Sequence, residues 1–282
     1  MGREISWNFP CRPAHKCSFV LSSLAVKHPT FLLTMLVATS LSAAPFTAFQ
    51  DGESFTYRVS FAIFSRAGEI TIAAHNGKGD SADVVRITTD TKSRGVVRAL
   101  YAFDNHAEVL IERSSGRMLS VKESGTDPKR ATDTELILDY AKGMARYTDR
   151  VRTERSAEFA IPTGDPLDLI SALVETRDWN LKPGEKRDVL VQFGRDFYEL
   201  SIFADHFEEV STPRGTSQTL VLIPRMEKNP KGMFKNGGEI KVWIAQDGSR
   251  LPVKMQLSLN FGAATLLLTD YQSSNAQEKK HP

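Results

Sequence analysis

The chain has 282 residues, 41% hydrophobic, 25% charged and 9% aromatic, a globular composition that excludes a collagen, a disulfide scaffold and a wholly disordered chain. Lysine and arginine number 36 against 34 aspartate and glutamate. Residues 1–44 hold four of the basic residues (Arg3, Arg12, Lys16, Lys27) and one acidic residue (Glu4); removing those leaves 32 against 33, a net of −1, which gives no long-range pull on a nucleic-acid backbone.

The first elements in chain order concern export. Residues 31–44 read FLLTMLVATSLSAA, an apolar, uncharged run of signal-peptide length and too short for a comfortable membrane span. Lys27 and His28 precede it, and Ser42, Ala43 and Ala44 supply the small residues a signal peptidase needs. Pro45 is awkward directly after a cut, which places cleavage a residue or several away. Residues 1–25 carry Trp7, Pro10, Cys11, Pro13 and Cys17 without periodicity. They are expected to be a non-native start-site extension, with the signal peptide over 26–44 beginning at Val26. Cys17 follows Ala14, His15 and Lys16, so it is not a lipoprotein cysteine. Cys11 and Cys17 are the chain's only cysteines, so an exported form would hold neither a disulfide nor a thiolate-bound metal.

Residues 53–64, ESFTYRVSFAIF, alternate so that Phe55, Tyr57, Val59, Phe61 and Ile63 share one face of a strand. Arg66, Ala67 and Gly68 read as a turn into a second strand over 69–74, followed by a loop at His75–Gly79 with an Asn-Gly signal. Further strands are expected over 82–89, 108–112, 118–124, 134–139 and 144–148, while 96–103 reads as either a short helix or a strand. One helix is expected over 165–179, with Asp165 as N-cap, Pro166 at the first helical position and Asp168 in the first turn. Leu167, Ile170, Leu173 and Val174 then recur at helical spacing. Strands return over 186–193, 197–203, 206–211, 217–224, 238–245, 252–260 and 263–271, with Asp247-Gly248 as a tight turn. The expected fold is mainly β, its antiparallel sheets forming a sandwich or a curved half-barrel with the 165–179 helix packed on it. A single β-rich domain over 50–271 and a disordered tail over 273–282 complete the layout.

Three stretches together resemble a known family: DGESFTYRVSFAIFSRAGEITI at the opening hairpin, DPLDLISALVETRDWNLKPGE, and GGEIKVWIAQDGSRLPVKMQLSLNFGAATLLL. They are similar to bacterial exported proteins of domain of unknown function 3108 (DUF3108), over nearly all of the expected mature chain, roughly residues 50–271. The resemblance implies an exported, β-rich, periplasmic protein of Gram-negative type. The family has no established activity, so it implies no catalytic residue.

Chemistry-bearing motifs are sparse. His75, His106, His206 and His281 show no metal-ligand spacing, although Asp205, Glu208 and Glu209 surround His206. There is no GxSxG elbow. Gly77, Gly79, Gly237 and Gly238 belong to turns, Asp247 to a turn and not a calcium loop, and Asp165 and Asp168 to a helix start. No catalytic residue, cofactor or metal is therefore assigned. Trp179, Trp243, Phe55, Tyr57, Phe61, Phe197, Phe203 and Phe261 either fill a core or line a concave surface for an acyl chain, with the helix as lid, a layout similar to half-barrel lipid carriers. The leading expectation is non-enzymatic binding of an apolar or amphiphilic envelope ligand, such as a lipid, or a role in envelope assembly with envelope proteins. The alternatives are a structural or protein-interaction domain using sheet edges, and a hydrolase with a non-local site.

Overall fold

The computed structural model describes residues 44–259 and 262–274. The 1–25 extension, the signal peptide apart from Ala44, Phe261, His281 and the tail after Ser274 lie outside the described residues. Within them run β1 (Ser54–Phe61), β2 (Phe64–Asn76), β3 (Val84–Ser93), α1 (Gly95–Leu100), β4 (Asp104–Glu112), β5 (Met118–Asp127), β6 (Arg130–Asp139), β7 (Met144–Asp149) and β8 (Ala157–Ala160). Then come β9 (Leu167–Asp168), α2 (Leu169–Glu175), β10 (Lys186–Phe193), β11 (Asp196–Thr212), β12 (Gly215–Arg225), α3 (Gly232–Lys235), β13 (Glu239–Ala245), β14 (Pro252–Leu259) and β15 (Gly262–Gln272).

All the strands belong to one sheet, ordered β8-β7-β6-β5-β4-β3-β2-β1-β15-β14-β13-β12-β11-β10-β9. From β1 to β8 and from β10 to β15 neighbours in sequence pair antiparallel, and β1 also pairs with β15, Phe55 opposite Tyr271 and Tyr57 opposite Leu268. Two meanders are thus joined through strands from opposite ends of the domain, and α2 lies in the chain between them. Only β9 runs parallel to its partner, touching β10 at Val191 and Gln192. No ladder joins β8 to β9 or β10, so the sheet is not closed into a barrel. It nevertheless curls. Phe159 of β8 meets Phe197 of β11 edge to face at 5.9 Å, although these strands stand near opposite ends of the order.

Alternation explains the inner face. Phe55 and Tyr57, Ile72 and Ala74, Val85 and Ile87, Val109 and Ile111, and Leu136 and Leu138 are spaced by two on β1, β2, β3, β4 and β6, and all are buried in one cluster. Each large side chain buried this way contributes roughly 1.5–3 kcal/mol. In β12 and β13 the pattern changes to continuous apolar runs, because both faces are covered. Val221, Ile223, Trp243 and Ala245 enter the first cluster, while Leu220, Leu222, Val242 and Ile244 enter a second with Leu167, Trp179 and Leu200. Tyr57 carries its hydroxyl into the core, where it donates to the Pro252 carbonyl at 2.9 Å, and burial pushes its pKa far up.

Three sequence expectations need correction, and one open reading is decided. The first turn falls at Ala62-Ile63, with Ala62 at φ 49, and not at Arg66–Gly68. Gly68 lies within β2, where a Cβ would stand 3.0 Å from the Lys92 carbonyl, so this glycine permits close strand approach. Ile63 consequently leaves the buried face and is 89% exposed at the hairpin tip. The ambiguous 96–103 stretch is helical in its first part, as α1. The separate strands expected over 197–203 and 206–211 are one strand, β11, bent by a register shift between Ala204 and Phe207.

The third correction concerns the helix, which begins at Leu169 and not at Asp165. Leu167 and Asp168 are held extended by pairing with β10. Asp168 is the N-cap, accepting from Ile170 N at 2.8 Å, from Ser171 N at 3.0 Å and from the Ser171 hydroxyl. Asp165 instead accepts from Arg117 Nε at 2.9 Å. After α2 a short 3-10 turn over Thr176–Asp178 leads to Trp179. Ser171, Ala172, Leu173 and Val174 are buried, so α2 is a wedge shared by both clusters and not a detachable lid.

Burial raises the Asp168 pKa, outweighing the hydrogen bonds that favour its ionised form. In the unfolded chain this carboxyl ionises near its ordinary value of about 4, while in the folded protein it keeps its proton to higher pH. The folded state then binds more protons, so this residue's contribution to stability falls as pH rises through that interval. Asp168→Asn is expected to remove that falling component. Melting temperatures of both proteins between pH 4 and 7 check it, and parallel curves would refute it.

Candidate functional site

Where the sheet fails to close, it leaves a cleft of about 800 Å³. Its walls come from the Ala44–Thr47 segment, the Ser115-Gly116 turn, residues 163–167, the end of α2 through Trp179, and the β10 and β11 edge. The reason lies in strand length. β9 covers only Val191 and Gln192, so residues 186–190 of β10 have no strand on their outer side, and all five line the cleft.

The lining is amphipathic. Leu167, Trp179, Val189, Leu190 and Leu200 form apolar wall, and Lys186, Arg187, Asp188, Glu199, Glu227 and Lys228 supply charge of both signs. Lys186 Nζ binds Glu227 Oε2 at 2.6 Å and lies 3.8 Å from Asp188. The Ser201 hydroxyl lies 2.5 Å from Asp188 and 2.8 Å from Glu227, its one proton shared between the two carboxylates. The Lys186 ammonium and then the Ser201 hydroxyl hold the Glu227 carboxyl below its ordinary pKa. Arg187 lies over the Trp179 ring at 4.8 Å, and burial raises the nearby Glu175.

Beside the cleft stands a buried polar cluster. Glu53 is 3% exposed and receives Arg177 Nη1 at 3.1 Å and Nη2 at 3.2 Å. It also receives Gln50 N at 2.7 Å and the Tyr271 hydroxyl. Burial, then the bond to Glu53, pushes the Tyr271 pKa up to about 12. The same guanidinium donates to the carbonyls of Ala48 and Ser249. Sequence reading had no signal for this cluster, because Glu53, Arg177 and Tyr271 lie far apart in the chain.

The residues singled out from the sequence do not converge. His75 is exposed on β2; His106 faces Asp90 at 3.0 Å on β3 and β4. His206 is exposed at the β11 bend, 2.7 Å from Asp205 and 3.6 Å from Glu208, and Glu208 accepts from Trp243 Nε1 at 2.9 Å. Among the described residues no group of three or more histidine, cysteine or acidic side chains is placed to hold a metal ion. Among the described residues no serine hydroxyl bonds a histidine ring; Ser171 bonds the Asp168 carboxyl, and Ser201 those of Asp188 and Glu227. Asp247 caps its own turn by accepting from Ser249 N at 2.9 Å. Of the aromatics singled out, Trp179 lines the cleft and others pack on neighbouring rings or under cations. Phe55 stacks on Phe49 at 4.7 Å and on Tyr271 at 5.6 Å, and Phe203 is covered by Lys186 and Arg225.

The family model for the protein of unknown function DUF3108 matches residues 56–269. The chain belongs to the DUF3108 family. The match begins within β1 and ends within β15, so the family unit is the whole sheet, including the strand pair that joins its halves. No curated protein matches this DUF3108 chain at a significant level. Among solved structures it is similar to a β-barrel-like DUF1849 protein from Brucella abortus, with TM-score 0.52 and 6% identity over 80% of this chain and 99% of that one. That likeness is one of fold. A Parabacteroides distasonis protein assigned as a lipoprotein aligns at TM-score 0.29 and 9% identity, covering 82% of this chain and 99% of its own. A Bacteroides fragilis protein assigned as exported, with a YmcC-like fold, aligns at 0.33 and 11% identity, covering 82% and 100%. Among the described residues no helix is long and apolar enough to cross a membrane.

Proposed function

We propose that this DUF3108 protein is an exported, non-enzymatic binding protein of the Gram-negative periplasm that takes an amphiphilic envelope ligand in the cleft beside β10. The observation that carries this reading is the lining. A purely apolar acyl tunnel has no use for Lys186, Arg187, Asp188 and Glu227, while the half-buried Val189 and Leu190 give the same strand edge an apolar part. A ligand with an apolar body and a charged or polar head satisfies both. The aromatic core is filled by its own side chains, so the ligand belongs at the open edge and not inside the sheet. Export is supported by the apolar 31–44 segment and its small-residue end.

A second reading rests on the bare backbone of residues 186–190: an extended segment of an envelope protein adds to β10 as a further strand. One measurement separates the two. Mass spectrometry of molecules co-purified from the native compartment is expected to find an amphiphile, and a fluorescent fatty acid is expected to bind the purified protein. Leu190→Glu is expected to weaken that probe by about tenfold, the loss of one buried leucine contact. A co-purified peptide would favour strand addition, and absence of both probe uptake and any co-purified molecule would overturn the cleft assignment.

A further inference from the structure

A different part of the molecule points to a membrane surface. β1, β2, β3 and β4 are antiparallel neighbours, so the β1–β2 turn and the β3–β4 connection, which contains α1, fall at the same end of the sheet. They are held together there. Arg94 N donates to the Ala67 carbonyl at 2.8 Å, and Arg94 Nη2 reaches Glu69 at 2.8 Å. This end carries the most concentrated exposed apolar group among the described residues. Ile63 is 89% exposed, Leu100 74%, Val96 63% and Tyr101 42%, and α1 buries none of its residues. The other exposed large apolar side chains are single residues on β6, β7, α2, β10 and β11 (Ile137, Met144, Leu169, Phe193 and Phe207) and Val151 in the loop after β7.

The sequence around these tips is basic. Residues 58–69 and 92–104 contain Arg58, Arg66, Lys92, Arg94 and Arg98 against Glu69 and Asp104. Glu69 is taken by Arg94 and Asp104 by Arg98, and Arg66, next to the tip, has no carboxylate partner among the described residues. Aliphatic tips, one tyrosine and a surplus of guanidinium groups match the layering of an anionic bilayer, where apolar groups enter below the headgroups and cations stay among the phosphates. We infer that the β1–β2 tip and α1 dock this protein on an anionic lipid surface. The opposite end of the same strands, where the Ala44–Gln50 segment enters, faces away from that surface. The inference does not rest on the cleft.

The test uses the full chain and vesicles of phosphatidylcholine with and without phosphatidylglycerol. Sedimentation with the anionic vesicles is expected, and Ile63→Ser/Leu100→Ser should lower the partition coefficient by about tenfold or more. Arg66→Glu should lower it on anionic vesicles alone. These substitutions sit at exposed positions and leave the core untouched. In Ile63→Trp, emission should shift to the blue on anionic vesicles and be quenched by brominated lipid, measured against the unsubstituted chain as background. That readout is position-specific, so it distinguishes docking through this tip from attachment through the apolar 31–44 segment. Unchanged partition of the double variant, emission from the Ile63→Trp variant that anionic vesicles do not shift, or burial of the tip in a dimer seen by sedimentation velocity without lipid would overturn the inference.

Discussion

Replacing Arg177 by methionine is expected to destabilise the domain by about 3–5 kcal/mol, because it leaves Glu53 charged, buried and without its counter-ion. The guanidinium ties the α2 end to the stretch around the start of β1 and to the β13–β14 connection. It joins the Glu53 carboxylate, the Ala48 carbonyl ahead of β1, the Ser249 carbonyl between β13 and β14, and the Phe55 ring, whose centroid lies 5.5 Å away. Methionine keeps much of the volume and the apolar stem, so most of the loss is electrostatic. Glu53→Gln added to Arg177→Met should recover part of it, since a neutral amide needs no cation and can still receive the Gln50 N–H. Denaturant unfolding of the two single variants and the double variant measures the coupling directly. A loss under about 1 kcal/mol for Arg177→Met, or simple additivity in the cycle, would show that Tyr271 and Gln50 suffice to hold Glu53.

The strands were legible wherever one face is wet and the other dry. In β1 the alternation of Phe55 and Tyr57 with Thr56 and Arg58 identifies both the element and its inner side. The same rule misplaced Ile63, because alternation in the sequence runs on past Phe61 while the backbone turns at Ala62, and no residue there announces a positive φ. Asp165 and Asp168 both satisfy the pattern for starting a helix. Pairing of Leu167 and Asp168 with β10, a contact between segments well separated in the chain, decides between them. The cleft was invisible for the same reason. It is assembled from short stretches far apart in the chain, and it exists because β9 is only Leu167–Asp168, a property of the assembled sheet and not of any motif. The family resemblance, by contrast, was carried by the strand and turn residues themselves, and the match over 56–269 spans those strands.

The segment before β1 is expected to behave as part of the core. Phe49→Ala should cost about 3–5 kcal/mol, the range for deleting a fully buried aromatic, with Phe49→Leu costing clearly less. The sequence reading starts the domain at residue 50 and leaves residues 45–49 outside it. In the fold Phe46 and Phe49 are buried, and Phe49 lies flat on Phe55 with their planes 9° apart. The backbone is fastened as well: Phe46 N donates to the Arg113 carbonyl at 2.8 Å, and Arg177 donates to Ala48. Gly116, at φ +69, lets the chain pass so closely that a Cβ there would stand 2.5 Å from the Ala44 carbonyl. Because Ala44–Thr47 also form one wall of the cleft, losing the Phe49 ring should loosen that wall before it unfolds the sheet. Hydrogen exchange is the suitable measurement. Protection at Phe46 should collapse in Phe49→Ala while protection in β2 and β3 persists at a lower overall stability. If the variant unfolds at wild-type denaturant concentration, or if the Phe46 amide stays protected, the segment is a passenger on the sheet and not one of its supports.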